Sequence, residues 1–165
     1  MTARGFDEVT VAEIAAAAGV TEMTAFRHFA VKEDLIVEDR YDPDIAEAIR
    51  AQPRELPALV RAARGLGAAW AALDERAVGE TRERIRLIAS SPRLRARAAI
   101  TSESSERAVA EALIADGVEP LVARIAAAAG IAALTAALYD WASGPSAGAP
   151  WPRVLRALSV LEGSA

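Results

Sequence analysis

Apolar positions near the start of the chain recur at intervals of three and four residues, the period of an amphipathic α-helix. The repeating positions are Val11, Ile14, Ala15 and Ala18. Thr10 precedes them and Glu13 follows three residues later, which is the spacing of a capping box. Gly19 is typical of a helix end, because glycine readily adopts the left-handed conformation that closes a helix. The pattern therefore predicts a short first helix between Thr10 and Gly19.

A second short helix is predicted immediately after the glycine. Thr21 is a favoured capping residue, and the helix is expected to reach about Phe29. A third helix is predicted from Lys32, and it continues towards Arg50 unless Pro43 perturbs or breaks it. Its inward-facing positions are Leu35 and Ile36.

Longer helical segments make up the rest of the chain. Proline and glycine mark the boundaries, at Gln52-Pro53, at Leu56-Pro57 and at Gly79, and the run SGPSAGAP at 143–150 is expected to be a loop. Ser91 followed by Pro92 is a favoured helix start. The predicted helices cover residues 57–76, 80–89, 92–115 (with a candidate break near Thr101), 120–142 and 151–161.

Composition supports an all-α protein. The chain has 165 residues, 53% of them hydrophobic, and alanine outnumbers the residues that favour strands. The absence of cysteine excludes disulfides and thiolate zinc sites, and a single histidine, His28, excludes a multi-histidine metal site.

Ile125–Tyr139 is uncharged but short for a bilayer, so a buried helix is expected there rather than a membrane span. With no secretory signal visible in MTARGFDE, we expect a soluble cytoplasmic protein with no membrane partner.

The net charge of −4 is unevenly distributed. Residues 1–41 carry four basic and eight acidic side chains, whereas residues 42–165 carry 15 of each. The whole acidic excess therefore falls in the segment that contains the two short helices. Binding to a phosphate backbone normally favours the opposite sign.

Two short helices joined by a glycine turn form a helix-turn-helix pattern, which places its second helix in the major groove of DNA. Ala15 is small enough for the helices to cross closely, and Val20 fills the turn. A helical hairpin inside an ordinary bundle is the alternative interpretation of this pattern. The predicted DNA-binding residues are Thr21, Glu22, Met23, Thr24, Phe26, Arg27, His28 and Lys32.

The residues of this segment resemble the N-terminal domain of TetR-type (TetR/AcrR) transcriptional regulators. The resemblance is carried by TVAEIAAAAGV, T-EMTAFRHF and KEDL within residues 10–35, and more loosely by RLIASSPRLRARA and the apolar helix that ends at Trp141. It implies a helix-turn-helix domain at 1–41 and a helical ligand-binding and dimerisation domain at 42–165. The expected function is a ligand-responsive regulator, with a repressor released from its operator DNA by a small molecule as the first choice. His28 and Lys32 are expected to contact phosphates.

Three departures from the family pattern support an alternative function. The family has a further helix before the Gly-Phe-Asp stretch, and this chain starts at the tail of that helix. Phe26 replaces a phosphate-binding tyrosine, and Ala25 replaces a larger aliphatic residue. Glu22 points at the DNA, where a carboxylate either accepts from cytosine N4 or repels phosphate. The alternative is a dimeric small-molecule-binding protein that has lost DNA binding.

The later helices predict a dimer and a pocket. A helix that is apolar all round must be covered on all sides, so the helices around 121–142 and 151–161 are expected to form half of a four-helix homodimer interface, with Val154, Leu155, Leu158 and Leu161 on one side of the last helix. The alternative for these helices is plain intramolecular core. A small, apolar effector is expected, and the predicted lining residues, each of which is otherwise core, are Leu66, Trp70, Leu73, Ile88 and Ile114.

Six arginines cluster between residues 82 and 97, and their spacing has two interpretations. Arg82, Arg84, Arg86, Arg93, Arg95 and Arg97 form either solvated helix faces, with Glu80 and Glu83 as partners, or an anion-binding patch. An enzyme is not expected, because a serine triad would have to recruit His28, and no phosphate loop or metal-spaced carboxylate set is present. No cofactor is predicted.

Overall fold

The computed structural model describes residues 6–37, 42–72, 75–145 and 148–163, and every regular element within them is helical. The all-α fold class is therefore confirmed. The α-helices of the described residues are α1 (Val11–Ala17), α2 (Glu22–His28), α3 (Asp42–Arg50), α4 (Ala58–Ala71), α5 (Glu75–Ser90), α6 (Pro92–Ala115), α7 (Pro120–Ser143) and α8 (Trp151–Leu161). Single 3₁₀ turns occupy Phe6–Glu8 and Lys32–Leu35.

Local side-chain chemistry sets the ends of α1 and α2 as predicted. The Thr10 hydroxyl accepts from the Glu13 amide at 3.2 Å, and the Glu13 carboxylate accepts from the Thr10 amide at 2.8 Å, which completes the capping box. Gly19 closes α1 with a φ of +69°, and the Thr21 hydroxyl accepts from the Thr24 amide at the start of α2. The helix-turn-helix geometry thus follows from residues within a few positions of one another.

The third predicted helix is only partly helical. Lys32–Leu35 forms one 3₁₀ turn, and α3 begins at Asp42 with Pro43 in its first turn. Ile36 and Val37 are not helical, so the helix does not continue from Lys32 towards Arg50, and residues 38–41 lie outside the described residues. Proline is tolerated in a first turn because its missing N–H has no intrahelical partner at that position.

The boundary predicted at Gly79 is wrong. Gly79 lies inside α5, which begins at Glu75, and α4 ends at Ala71 rather than at Arg76. A Cβ built on Gly79 would meet no atom within 4 Å, so nothing in the packing requires glycine to end a helix there. The break considered near Thr101 is also absent, since α6 is continuous from Pro92 to Ala115.

The core lies around α7, which packs against α4, α5, α6 and α8. Small residues bring the helices close together: a Cβ on Gly130 would lie 2.8 Å from Leu66 Cδ1, and one on Gly65 would lie 2.8 Å from the Ile49 Cα. By length and composition alone, α7 could cross a membrane, but its contacts with four other helices are those of a core helix. The expectation of a buried helix at 125–139 is met on its inner face.

A buried ion pair joins the start of α4 to the residue that follows α6. The Arg61 side chain is 1% exposed and donates to Asp116, which also pairs with Arg54 at 2.7 Å. The hydrogen bond from Arg61 lowers the pKa of Asp116 below its usual value, and burial opposes this only in part. The pair fixes the start of α4 to the loop after α6, where Gly117 ends the helix as expected.

Candidate functional site

The outer surface of α2 exposes most of the residues predicted to read DNA. Met23 is 82% exposed and Phe26 is 51% exposed, whereas Ala25 is buried against α1. Thr24 is half-buried, with its hydroxyl 2.9 Å from that of Thr21. The exposed members are Thr21, Glu22, Met23, Phe26, Arg27 and His28. Most of the predicted residues on α2 are therefore open to solvent, and their contact with DNA stays a prediction.

Lys32 has intramolecular contacts that the sequence pattern did not reveal. Its Nζ donates to the carbonyl oxygen of Phe6 and lies 4.2 Å from the centroid of the Phe6 ring. A cation over an aromatic face is attracted by the ring's negative potential. Phe6 is itself 5% exposed. A phosphate contact by Lys32, as predicted, would have to share the ammonium with these partners.

Two acidic residues of the N-terminal quarter face away from α2. Glu33 pairs with Arg93 at 3.4 Å, and Asp34 pairs with Arg97 at 2.6 Å. Both arginines belong to α6, so these ion pairs join the helix-turn-helix to the bundle. Part of the acidic excess is thereby neutralised inside the protein. Glu22 is different, because it stays exposed in the first turn of α2.

The other arginines of the cluster follow the expected solvated faces only in part. Arg86 does pair with Glu83 at 2.7 Å along α5, as predicted. Arg82 instead donates to the carbonyl oxygen of Gly144, which ties α5 to the end of α7. Arg84 and Arg95 line a cavity. Sequence spacing revealed the partner on the same helix but not those on other helices.

That cavity, of about 590 Å³, lies between α5, α6 and α7. Of the predicted lining residues, Trp70 and Ile88 do line it. Leu66 does not, because it is fully buried against Gly130, and Ile114 does not, because it is 38% exposed near the end of α6. Leu73 lies outside the described residues. The lining residues that were missed include Arg84, Arg95, Ser102, Ser105, Thr135 and Tyr139.

A sequence signal for these missed residues exists. Thr101, Ser102 and Ser105 interrupt α6 with hydroxyls, and Thr135 does so in the uncharged stretch 125–139 of α7. Polar groups that converge on an apolar cavity fix the orientation of a ligand. A smaller groove of about 340 Å³ lies between α3 and α4, on the other side of Trp70, with Asp44 and Glu47 at its edge.

The two ion pairs between the helix-turn-helix and α6 form a junction, and segments of this junction also line the cavity. Ile36 and Val37 line the cavity and directly follow the turn that contains Glu33 and Asp34. Arg95 also lines it, and it lies between Arg93 and Arg97 on α6. A molecule in the cavity would therefore touch the same two segments that hold the helix-turn-helix to the bundle.

A second apolar surface covers the outer face of α7 and α8. Leu121, Ile125 and Leu155 are 54%, 59% and 54% exposed. Val154 and Leu158 are buried, and Leu155 lies at the exposed edge of the same side, since a Cβ on Gly67 of α4 would meet both Leu155 and Leu158 at 3.3 and 3.5 Å. The two helices pack against each other, and each carries exposed apolar residues of this kind. This surface is defined by Leu121, Val122, Ile125, Leu155 and Val160.

Comparison with known families matches both parts of the chain. The family model described as "Bacterial regulatory proteins, tetR family" matches residues 1–38, and the one described as "MftR C-terminal domain" matches residues 55–163. No curated protein matches the chain. The first match spans the helix-turn-helix, and the second spans α4 to α8 with the cavity and the outer face of α7 and α8.

Proposed function

The chain belongs to the tetR family of bacterial regulatory proteins, and we propose that this DNA-binding transcriptional regulator is a repressor that a small, largely apolar molecule releases from its operator. The cytoplasm, where operator DNA lies, is its place of action. The observation that carries the proposal is the wall shared by the cavity and the junction. The lining residues Ile36 and Val37 follow Glu33 and Asp34 in the chain, and Arg95 lies on the helix that supplies their partners, Arg93 and Arg97.

The DNA contact is assigned to α2. Its exposed face presents Met23, Phe26 and Arg27 to a major groove, while Lys32 and the start of the following turn lie beside the phosphates. Glu22 would accept from a cytosine amino group. The internal pairing of Glu33 and Asp34 supports this assignment, because those two carboxylates are turned towards arginines rather than towards phosphate.

Repression requires two helix-turn-helix domains, or DNA-binding heads, at the spacing of successive major grooves. The outer face of α7 and α8 supplies the surface for the homodimer that holds them. A two-fold dimer places the same apolar patch against itself. Ligand binding then shifts the protein towards the state that fits it better, with the heads wrongly spaced for successive major grooves. A movement of the cavity wall at Ile36 and Arg95 is the link between the two states.

The test is binding of the full chain to DNA from around its own gene, across a salt series, by fluorescence anisotropy. Specific binding should weaken steeply as salt rises, because released counterions drive it. Arg27→Ala should weaken it, whereas Arg107→Ala, an exposed arginine on α6, should not. Absence of sequence-specific binding in a protein that still dimerises would favour the alternative, a ligand-binding protein without DNA affinity.

The dimer is tested with a matched pair of exposed isoleucines. Ile125 on α7 is 59% exposed and Ile100 on α6 is 57% exposed. Ile125→Glu should convert the dimer to a monomer in sedimentation, because it places two charges in the apolar interface. Ile100→Glu should leave it dimeric. The opposite result would move the interface to α6.

A further inference from the structure

Two arginines without carboxylate partners line the cavity, Arg84 half-buried and Arg95 exposed. Arg84 of α5 and Arg95 of α6 both line it, and neither forms an ion pair with any residue that the structure describes. Arg95 donates one hydrogen bond, from Nη1 to the carbonyl oxygen of Ala89 at 2.7 Å. Four arginines of the same cluster do have acceptors, namely Arg82, Arg86, Arg93 and Arg97. An uncompensated charge beside apolar surface favours a ligand that brings a counter-charge.

A neutral hydrogen-bond donor lies beside one of them. The Tyr139 hydroxyl lines the cavity and forms no hydrogen bond within the described part of the chain. Burial raises the pKa of Tyr139, while the positive charge of Arg95, which lines the same cavity, opposes that rise. The phenol is therefore protonated at neutral pH and available to donate.

The position of Arg95 adds to the positive potential, and the cavity's acidic group is distant. Arg95 lies in the first turns of α6, close to Pro92, where the helix N-terminus carries a partial positive charge. Glu106 also lines the cavity, but it is eleven residues further along α6, which is about 16 Å at the rise of an α-helix. Arg95 and Glu106 thus lie at different levels of the cavity wall.

We infer that the effector is an amphipathic anion, with its acidic group on Arg84 and Arg95 and its apolar body against Ile85, Ile88 and Leu134. This inference rests on the proposed effector function of the cavity and names the chemical class that the cavity selects. Arg95 belongs to α6, whose Arg93 and Arg97 pair with the helix-turn-helix, so an acid bound there contacts the helix to which the helix-turn-helix is joined.

Two fluorescent probes with the same aromatic body test it. 8-Anilinonaphthalene-1-sulfonate bears an acidic group, and N-phenyl-1-naphthylamine does not. The full chain should bind the sulfonate about 10-fold more tightly, a typical effect of charge-assisted hydrogen bonds. In the double variant Arg84→Gln/Arg95→Gln this ratio should fall to about one, with binding of the neutral probe unchanged. Tyr139→Phe should lower the ratio less.

Matched controls locate the effect. Arg107→Gln removes an exposed arginine of α6 outside the cavity and should leave the ratio intact. Ala99→Trp fills the cavity from its α6 wall and should abolish binding of both probes. Binding that survives Ala99→Trp, or a ratio that survives the double arginine variant, would overturn the inference.

The outcomes also separate this inference from the proposed function. If the neutral probe binds in the cavity and the sulfonate gains nothing, the acidic class is wrong while the effector function stands. If neither probe binds, the inference fails, and release of operator DNA by any ligand of this cavity loses its support.

Discussion

The helix-turn-helix and the bundle differ in how each buries its side chains. Residues 6–37 contain four buried apolar side chains, Phe6, Ala15, Ala25 and Val37. Only the two alanines are buried between α1 and α2. Phe6 and Val37 are buried against Ile88 and Leu94 of the bundle. By contrast, the bundle has a continuous core of its own along α7.

This difference shows where the order of the DNA-reading part comes from. Helices of seven residues are marginal in isolation, and both α1 and α2 have seven. Their caps, the Lys32 contacts with Phe6 and the ion pairs to α6 are therefore what holds them in place. A region that depends on the bundle in this way is also one that the bundle can move.

The largest expected contrast lies between Trp141 and Phe26. Trp141 is fully buried and donates from Nε1 to the carbonyl oxygen of Gly148 at 2.6 Å. Trp141→Ala should cost about 3–5 kcal/mol of unfolding free energy in urea, because it leaves a large cavity. Phe26→Ala should change it by less than about 0.5 kcal/mol, since the ring is 51% exposed. A comparable loss from Phe26→Ala would contradict the exposure of its ring.

Two glycines give a contrast of opposite sign within the bundle. A Cβ on Gly65 would lie 2.8–2.9 Å from the backbone of Ile49, so Gly65→Ala should destabilise the protein by about 1–3 kcal/mol as α3 and α4 are forced apart. Gly79 faces open space inside α5, and Gly79→Ala should stabilise it by about 0.5–1 kcal/mol. Urea unfolding measures both. A stabilised Gly65→Ala variant would contradict the close approach of the two helices.

A local effect is expected at the capping box. Thr10→Ala should weaken α1 by about 1 kcal/mol, because the Glu13 amide loses its acceptor. Amide hydrogen exchange should become faster in α1, with the core amides of α7 unaffected. Equal acceleration in both would show that α1 is not a separately opening unit. Ser104→Ala, on the exposed face of α6, is the control.

The smallest expected effect is at the junction. A double-mutant cycle with Arg97→Gln and Asp34→Asn should give a coupling of about 0.5–1 kcal/mol, since the pair is partly shielded. The Arg93 and Glu33 pair should couple more weakly, because Arg93 is 73% exposed and the separation is 3.4 Å. High salt should reduce the second coupling more than the first. A coupling near zero in both cycles would show that apolar contacts alone hold the junction.

Much of the fold could be predicted because its signals are local. The capping box at Thr10, the Gly19 turn, the Ser91-Pro92 start of α6 and the bounds of α8 all depend on residues within one or two turns. The predicted position of the boundary between α4 and α5 was wrong for a related reason. Gly79 is a weak local break, and open space around it allows the helix to continue.

The cavity was predicted less well. Trp70 and Ile88 line it, while Leu66 and Ile114 have the same apolar character but point elsewhere. Hydrophobic periodicity shows that a helix has an apolar side, but it does not distinguish a side that meets another helix from one that meets a void. For the arginines of the wall the sequence left solvated faces and an anion-binding patch both open, because spacing along one helix gives no information about a neighbouring one.

The sequence by itself determined the helical class, the caps and turns of the helix-turn-helix, and the apolar character of α7, since these depend on backbone preferences and short-range hydrogen bonds. Only the tertiary structure decided which arginines meet carboxylates and which face the cavity. Arg97 and Asp34 are 63 residues apart in the chain, and their contact exists only once α6 packs beneath the turn that follows α2. Such pairings arise from the geometry of whole helices, which no local pattern of residues specifies.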